Sequence, residues 1–204
     1  MKSKDYVFGV DVDEVLRTLL PRMVKLYNKH FNDNMKVDDV FDYNVELCFP
    51  TIKMKTGISA KEWFFTLHGK ELFRDAPAIK GAKEALEILR EYGDVIIVTR
   101  QFGRKNKQYA LEWLDKHGMP YDGICFVDDK SVVNCDYLID DNVDNFKRAN
   151  VLGAVLITAP YNKSEASLNQ IHSICDASFV YRFNSIADFA KKFNKNHSFL
   201  KETL

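Results

Sequence analysis

Six short runs, each almost continuously apolar, set the tightest limit on what this chain can fold into. They are residues 6–12 (YVFGVDV), 95–99 (VIIVT), 124–127 (ICFV), 137–139 (YLI), 155–158 (VLIT) and 179–183 (FVYRF). A strand with one wet face alternates apolar and polar residues. Runs without that alternation suit strands covered on both faces, as in a parallel sheet. Amphipathic helical patterns lie between the runs. Ala82, Ala85, Leu86 and Leu89 recur at i, i+3, i+4 and i+7, with Gly93 as a natural stop. Ala110, Trp113 and Leu114 mark a second helix that ends near Gly118 and Pro120. Ile186, Phe189, Ala190 and Phe193 mark the last, with Ser185 as its N-cap.

Strands alternating with helices predict an α/β fold, a Rossmann-like open parallel sheet flanked by helices. The gap between the first two runs is too long for one crossover. It opens on a helix carrying Leu19, Leu20, Met23, Val24, Tyr27 and Phe31, and Pro21 fits only in its first turn, so that helix should start near Thr18 or Leu19. An irregular aromatic stretch follows, then a helical segment around residues 61–73. The division expected is an α/β core of residues 1–16 and 79–193, a mainly helical cap of residues 17–78, and a polar tail of residues 194–204.

Composition excludes several classes. Lys+Arg and Asp+Glu are 29 each, so no basic excess exists to hold a large nucleic acid. Cys48, Cys125, Cys135 and Cys175 are scattered with no C-x-x-C pair, which argues for buried thiols rather than zinc or disulfides. The N-terminal residues show no signal-peptide pattern, and no stretch approaches a membrane span. A cytoplasmic protein is expected; oligomeric state is not readable.

The chemistry concentrates at strand ends. Asp11 and Asp13 close the first run and Asp140-Asp141 follow the fourth, at the sheet edge where open α/β folds bind ligands. Two acidic clusters at one edge repel each other unless a hard cation sits between them. With oxygen ligands and no imidazole or thiolate beside them, Mg²⁺ is the natural candidate. Thr99 and Lys130 fall between the clusters. A hydroxyl and an ammonium there suit a phosphate, although Thr99 alone also reads as a helix cap and Lys130 alone as a surface lysine.

The order D-V-D-E-V, V-T-R, Lys130, L-I-D-D, with a helical cap after the first motif, resembles the haloacid dehalogenase superfamily of phosphohydrolases over nearly the whole chain. The resemblance implies roles. Asp11 would be nucleophile and metal ligand. Asp13 would be acid/base and lend its backbone carbonyl to the metal. Thr99 and Lys130 would hold the phosphate, and Asp140 with Asp141 would complete the Mg²⁺ site. Two departures stand out: Glu14 occupies a position often held by Gly, and Arg100 follows the hydroxyl where smaller residues are common. Arg100 has two readings, phosphate contact or solvent.

Within that superfamily, the compact size, F-R-D-A-P-A-I-K-G from Phe73 and A-P-Y-N from Ala159 are similar to the 5'(3')-deoxyribonucleotidase branch. That implies a small phosphate monoester, a nucleotide, as substrate, with cap aromatics such as Phe41, Tyr43, Phe49 or Trp63 around the base. A phosphatase for a sugar phosphate or a phosphoglycolate-like metabolite keeps the same chemistry. A receiver-like phosphoacceptor is disfavoured because its acidic pair and its lone phosphoaccepting Asp come in a different order.

Overall fold

The computed structural model describes residues 5–201. All six runs are strands: β1 (Tyr6–Val10), β2 (Gly93–Thr99), β3 (Gly123–Phe126), β4 (Tyr137–Asp140), β5 (Asn150–Ile157) and β6 (Asp176–Phe183). They form one sheet in the order β3-β2-β1-β4-β5-β6, with every neighbouring pair parallel. The helices are α1 (Leu20–Phe31), α2 (Val45–Cys48), α3 (Pro50–Thr56), α4 (Ala60–Glu62), α5 (Ala82–Arg90), α6 (Gly103–Lys116), α7 (Glu165–Ile174) and α8 (Ile186–Lys201). Among the described residues no helix is long and apolar enough to cross a membrane.

The central strands β1, β2, β4 and β5 are largely buried on both faces, as continuous apolar strands require, whereas β3 at one edge is half-buried and β6 at the other leaves Phe179 and Tyr181 exposed. Phe8 and Val10 of β1, Val95 and Ile97 of β2, and Val155 and Ile157 of β5 pack with Leu86 and Leu89 of α5, Trp113 of α6 and Phe189 and Phe193 of α8. Leu138, Ala154 and Leu156 face the other way, onto Phe146 of a 3₁₀ turn (Val143–Phe146) and Ile171 of α7. Ser185 caps α8, its Oγ accepting from the Asp188 N–H at 3.1 Å.

Three expectations shift. Gly93 does not stop α5, whose C-cap is Glu91; it opens β2, where a Cβ would lie 2.0 Å from the Tyr6 carbonyl oxygen, so only glycine lets the two strands approach. The start of α1 falls at Leu20, just past Thr18 and Leu19, with Pro21 still in the first turn. The polar segment from Asn194 is helical as far as Lys201, continuing α8, and the Tyr92 hydroxyl donates to Asn194 Oδ1 at 2.5 Å.

Residues from Leu19 to Ala76 build a separate apolar cluster around Met23, Phe49, Ile52, Phe64 and Leu72. After α4 the helix widens into two π turns, Trp63–Leu67 and Lys70–Arg74. The chain then returns to the sheet through Ala76, whose carbonyl accepts from Trp113 Nε1 at 2.7 Å.

Candidate active site

Parallel strands bring their C-terminal ends to one edge, and that edge collects the acidic residues. The Asp11 N–H donates to the Ile139 carbonyl at 3.0 Å, extending the β1–β4 ladder and setting the two strand ends side by side. Asp11, Asp140 and Asp141 are all buried, and each offers an oxygen within 4.8 Å of the others. Lys130, on a 3₁₀ turn (Lys130–Val132) after β3, reaches among them. Its Nζ lies 2.8 Å from Asp11 Oδ1 and 2.5 Å from Asp140 Oδ2.

Burial alone would lower the Lys130 pKa, but the Asp11 and Asp140 charges outweigh it and hold the ammonium above the ordinary lysine value. Burial raises Asp140 to about 6 despite Lys130, with the Asp11 charge adding to the rise. Asp141 is pushed well up by burial and by the Asp140 and Asp11 charges. One ammonium does not balance three crowded carboxylates, and the donor set is all oxygen, which fits a hard divalent cation. Surrounding donors orient these groups, as partners of metal ligands do where a metal is held. Asp140 Oδ1 accepts from the Asn142 N–H and from Asn145 Nδ2, both at 2.9 Å. The Tyr161 hydroxyl donates to Asp141 Oδ2. Asn162 Nδ2 donates to the Asp141 carbonyl at 2.6 Å and to the Ile157 carbonyl at 2.8 Å.

The Asp13 side chain is not one of this triad but lines an adjoining recess with Asp141. Its Oδ1 accepts from Arg17 Nε at 2.8 Å and Nη2 at 2.5 Å, and its Oδ2 accepts from Gln101 Nε2 at 3.0 Å. Burial pushes its carboxyl up against the pull of Arg17. Gln101 Nε2 also donates to the Thr99 hydroxyl at 3.2 Å, while Gln101 Oε1 is buried without a partner among the described residues.

Glu14 adopts φ 56°, the left-handed conformation that glycine takes without strain. Its Oε1 accepts from the N–H groups of Leu19 and Leu20, both at 2.6 Å, and so caps α1. Burial raises its pKa to about 7. Arg100 is exposed: its Nε pairs with Asp128 Oδ1 at 3.0 Å and its guanidinium lies 5.1 Å from the Phe102 ring centroid.

A cleft of about 370 Å³ opens above the triad, with Asp11, Lys130 and Asp141 in its floor and Tyr43, Lys61, Phe65, Arg100 and Phe102 around it. A smaller recess of about 140 Å³ adjoins it, lined by Asp13, Glu14, Leu19, Leu20, Met23 and Phe73 among others. Of the four aromatics expected near a base, the structure brings only Tyr43 to the cleft. Phe49 is fully buried against Tyr27 and Phe64, and Trp63 is packed among Phe31, Phe64 and His68, so both serve the interior of the 19–76 cluster. Phe41 is 64% exposed and lines a neighbouring hollow rather than this cleft.

The aromatic pair the sequence reading missed is Phe65 with Phe102, stacked at 5.6 Å and 4°. Phe102 follows T-R-Q directly, and that adjacency to the second motif was its only signal. Arg17, Gln101 and Asn145 had no signal of their own. Tyr161 and Asn162 lie in A-P-Y-N, whose sequence alone gives neither a role.

Comparison with known proteins bears on the family and the fold. The family model described as "5' nucleotidase, deoxy (Pyrimidine), cytosolic type C protein" matches residues 5–185. A 5'(3')-deoxyribonucleotidase of Clostridium acetobutylicum is 30% identical over 163 residues, covering 77% of this chain and 84% of that protein. A haloacid dehalogenase-like hydrolase family protein from Streptococcus pneumoniae superposes with a TM-score of 0.63 at 14% identity, covering 92% of this chain and 98% of that one. A haloacid dehalogenase family hydrolase from Deinococcus radiodurans, solved with bound phosphate and sodium, gives 0.58 at 14% identity over 94% of this chain and 95% of that one. The chain therefore belongs to this 5' nucleotidase family, phosphoric monoester hydrolases built on the haloacid dehalogenase fold.

Proposed function

We propose that the protein is a Mg²⁺-dependent phosphatase that hydrolyses (deoxy)nucleoside monophosphates through a phosphoryl group carried on Asp11. The observation that carries this reading is the buried triad of Asp11, Asp140 and Asp141 around Lys130, with the Asp13 carboxylate beside it in an adjoining recess. Asp11, Asp140, Asp141 and the Asp13 backbone carbonyl would hold the metal, whose charge offsets that of the phosphate and the attacking carboxylate. Lys130 and Thr99 would hold the phosphate oxygens, with Arg100 at the mouth of the cleft.

The chemistry is two displacements. An Asp11 oxygen forms a bond to phosphorus as the bond to the leaving oxygen breaks, and that oxygen takes the proton of Asp13. The Asp13 carboxylate then takes a proton from water as the water oxygen attacks phosphorus. The aspartyl P–O bond breaks and its electron pair returns to Asp11. Splitting the reaction gives a positioned nucleophile to a hydrolysis whose uncatalysed rate demands up to about 10²¹-fold acceleration.

Residues 17–78 act as the cap over this site. The nucleotide reading is supported by the family match and by the Phe65–Phe102 pair and Tyr43 around the cleft, since flat aromatic walls suit a heterocyclic base. The test is phosphate release with Mg²⁺ from matched ribo- and deoxyribonucleoside monophosphates and from sugar phosphates, with Asp11→Asn as the blank. Preference for deoxyribonucleotides is the expected result. Activity confined to sugar phosphates would retain the chemistry and overturn the substrate.

A further inference from the structure

Arg17 is a fully buried arginine that the proposed chemistry leaves without a task. Taking a guanidinium out of water is costly, and an apolar side chain of similar size is often neutral or stabilising in its place. Its surroundings are specific. Nε and Nη2 both donate to Asp13 Oδ1, and Nη1 donates to the Phe73 carbonyl. The guanidinium carbon lies 5.1 Å from the Phe73 ring centroid and 5.4 Å from that of Trp113. Phe73 belongs to the 19–76 cluster and Trp113 to the cluster on the sheet, so Arg17 sits at the seam between them. Two rings and three hydrogen bonds leave the fork one orientation, and Gln101 fixes the other Asp13 oxygen at 3.0 Å.

We infer that Arg17 is the positioning residue of the acid/base carboxylate. It aims Asp13 at the leaving oxygen and ties that aim to the Phe73 carbonyl, so the acid is in register only when the chain returning from the cap is seated. The inference rests on Asp13 being the proton donor in the reaction proposed above. In the first displacement, the bond from Asp11 to phosphorus forms, the bond to the leaving oxygen breaks, and the Asp13 proton passes to that oxygen. A misplacement of about 1 Å can cost about 10²-fold in such a transfer. The cost depends on the leaving group. A sugar alkoxide needs the proton to depart, whereas p-nitrophenolate leaves without it. A purely structural arginine would show no such dependence.

The test compares kcat/KM for a deoxyribonucleoside 5'-monophosphate with that for p-nitrophenyl phosphate in wild type, Asp13→Asn, Arg17→Met and Arg17→Lys, with folding checked by thermal melting. Asp13→Asn sets the reference for the first displacement, read as leaving-group release in a single turnover so that its role as base in the second displacement does not enter: a loss of about 10²-fold or more on the nucleotide and far less on the aryl ester. Arg17→Met should follow it, with about 10²-fold lost on the nucleotide, mostly in kcat, and under about 3-fold on the aryl ester. Arg17→Lys, which keeps a buried cation without the fork, should show the same selectivity at smaller size, and it carries the test if Arg17→Met does not fold. Equal losses on both esters, or none, in folded Arg17 variants would overturn the inference while a selective Asp13→Asn leaves the phosphatase chemistry standing. An unselective Asp13→Asn would remove the acid role and the inference together.

Discussion

The Lys130 ammonium stands 2.8 Å from Asp11 Oδ1, and the two side chains are 1% and 9% exposed. That contact places the cation against the proposed nucleophile while Asp140 holds its other side at 2.5 Å. Removing one partner of a buried ion pair costs about 3–5 kcal/mol, because the charge left behind has no water. Lys130→Met should lower kcat/KM at least about 100-fold, as loss of an electrostatic stabiliser does. Without metal it should also melt earlier than wild type. Added Mg²⁺ should raise its melting temperature more than that of wild type, since a cation replaces part of the missing charge; thermal shift measurements check both.

The outer shell makes a separate claim. A chelator should stop phosphate release and Mg²⁺ should restore it. Tyr161→Phe removes the donor to Asp141 Oδ2 and leaves the carboxylate in place. The Mg²⁺ concentration for half-maximal activity should rise about 10-fold or more, the usual effect of losing an outer-shell partner. A metal titration of activity measures it.

Phe49 and Phe102 should separate stability from binding. Phe49 is fully buried, so Phe49→Ala should cost about 3–5 kcal/mol in denaturant unfolding, and Phe49→Leu should fold with an unchanged KM. Phe102 lines the cleft, half-buried and stacked on Phe65. Phe102→Ala should raise KM for a nucleotide about 10-fold, within the 1–3 kcal/mol expected of base stacking, with little change in melting.

The Cys135 thiol should be inert in the native protein. Burial pushes Cys135 up to about 11, and it is 5% exposed. Only about a thousandth of such a thiol is thiolate at pH 8, and the thiolate is the reactive form. Mass analysis after iodoacetamide treatment should find Cys135 unmodified until denaturant is added.

The sheet was legible because each strand carries a short apolar run; the central strands bury theirs on both faces, while exposed Phe179 and Tyr181 show that such a run also marks an open edge strand. Asp11, Asp140 and Asp141 were legible for a related reason: they directly follow such runs, and the parallel topology sends strand ends to one edge. Phe49 and Trp63 were misread because an aromatic in a small helical layer packs its own interior as readily as it faces a cleft, and only the tertiary contacts separate the two. Arg17 and Gln101 had no pattern to betray them. Arg17 reaches Asp13 across one turn, and Gln101 reaches it from 88 positions away, after a different strand. Glu14 was legible as a departure, but its task was not. A positive φ and a carboxylate turned back onto Leu19 and Leu20 depend on the loop's backbone path, which no local pattern encodes.

The most direct test of the covalent route is to quench the protein in acid during turnover of a phosphate monoester with Mg²⁺ and to map the modified peptide by mass spectrometry. The account predicts the added mass of one phosphoryl group on the peptide containing Asp11, located to that residue and absent from a folded Asp11→Asn protein that no longer turns over. Substantial turnover by that Asp11→Asn protein, or a phosphoryl group on another residue, would contradict it.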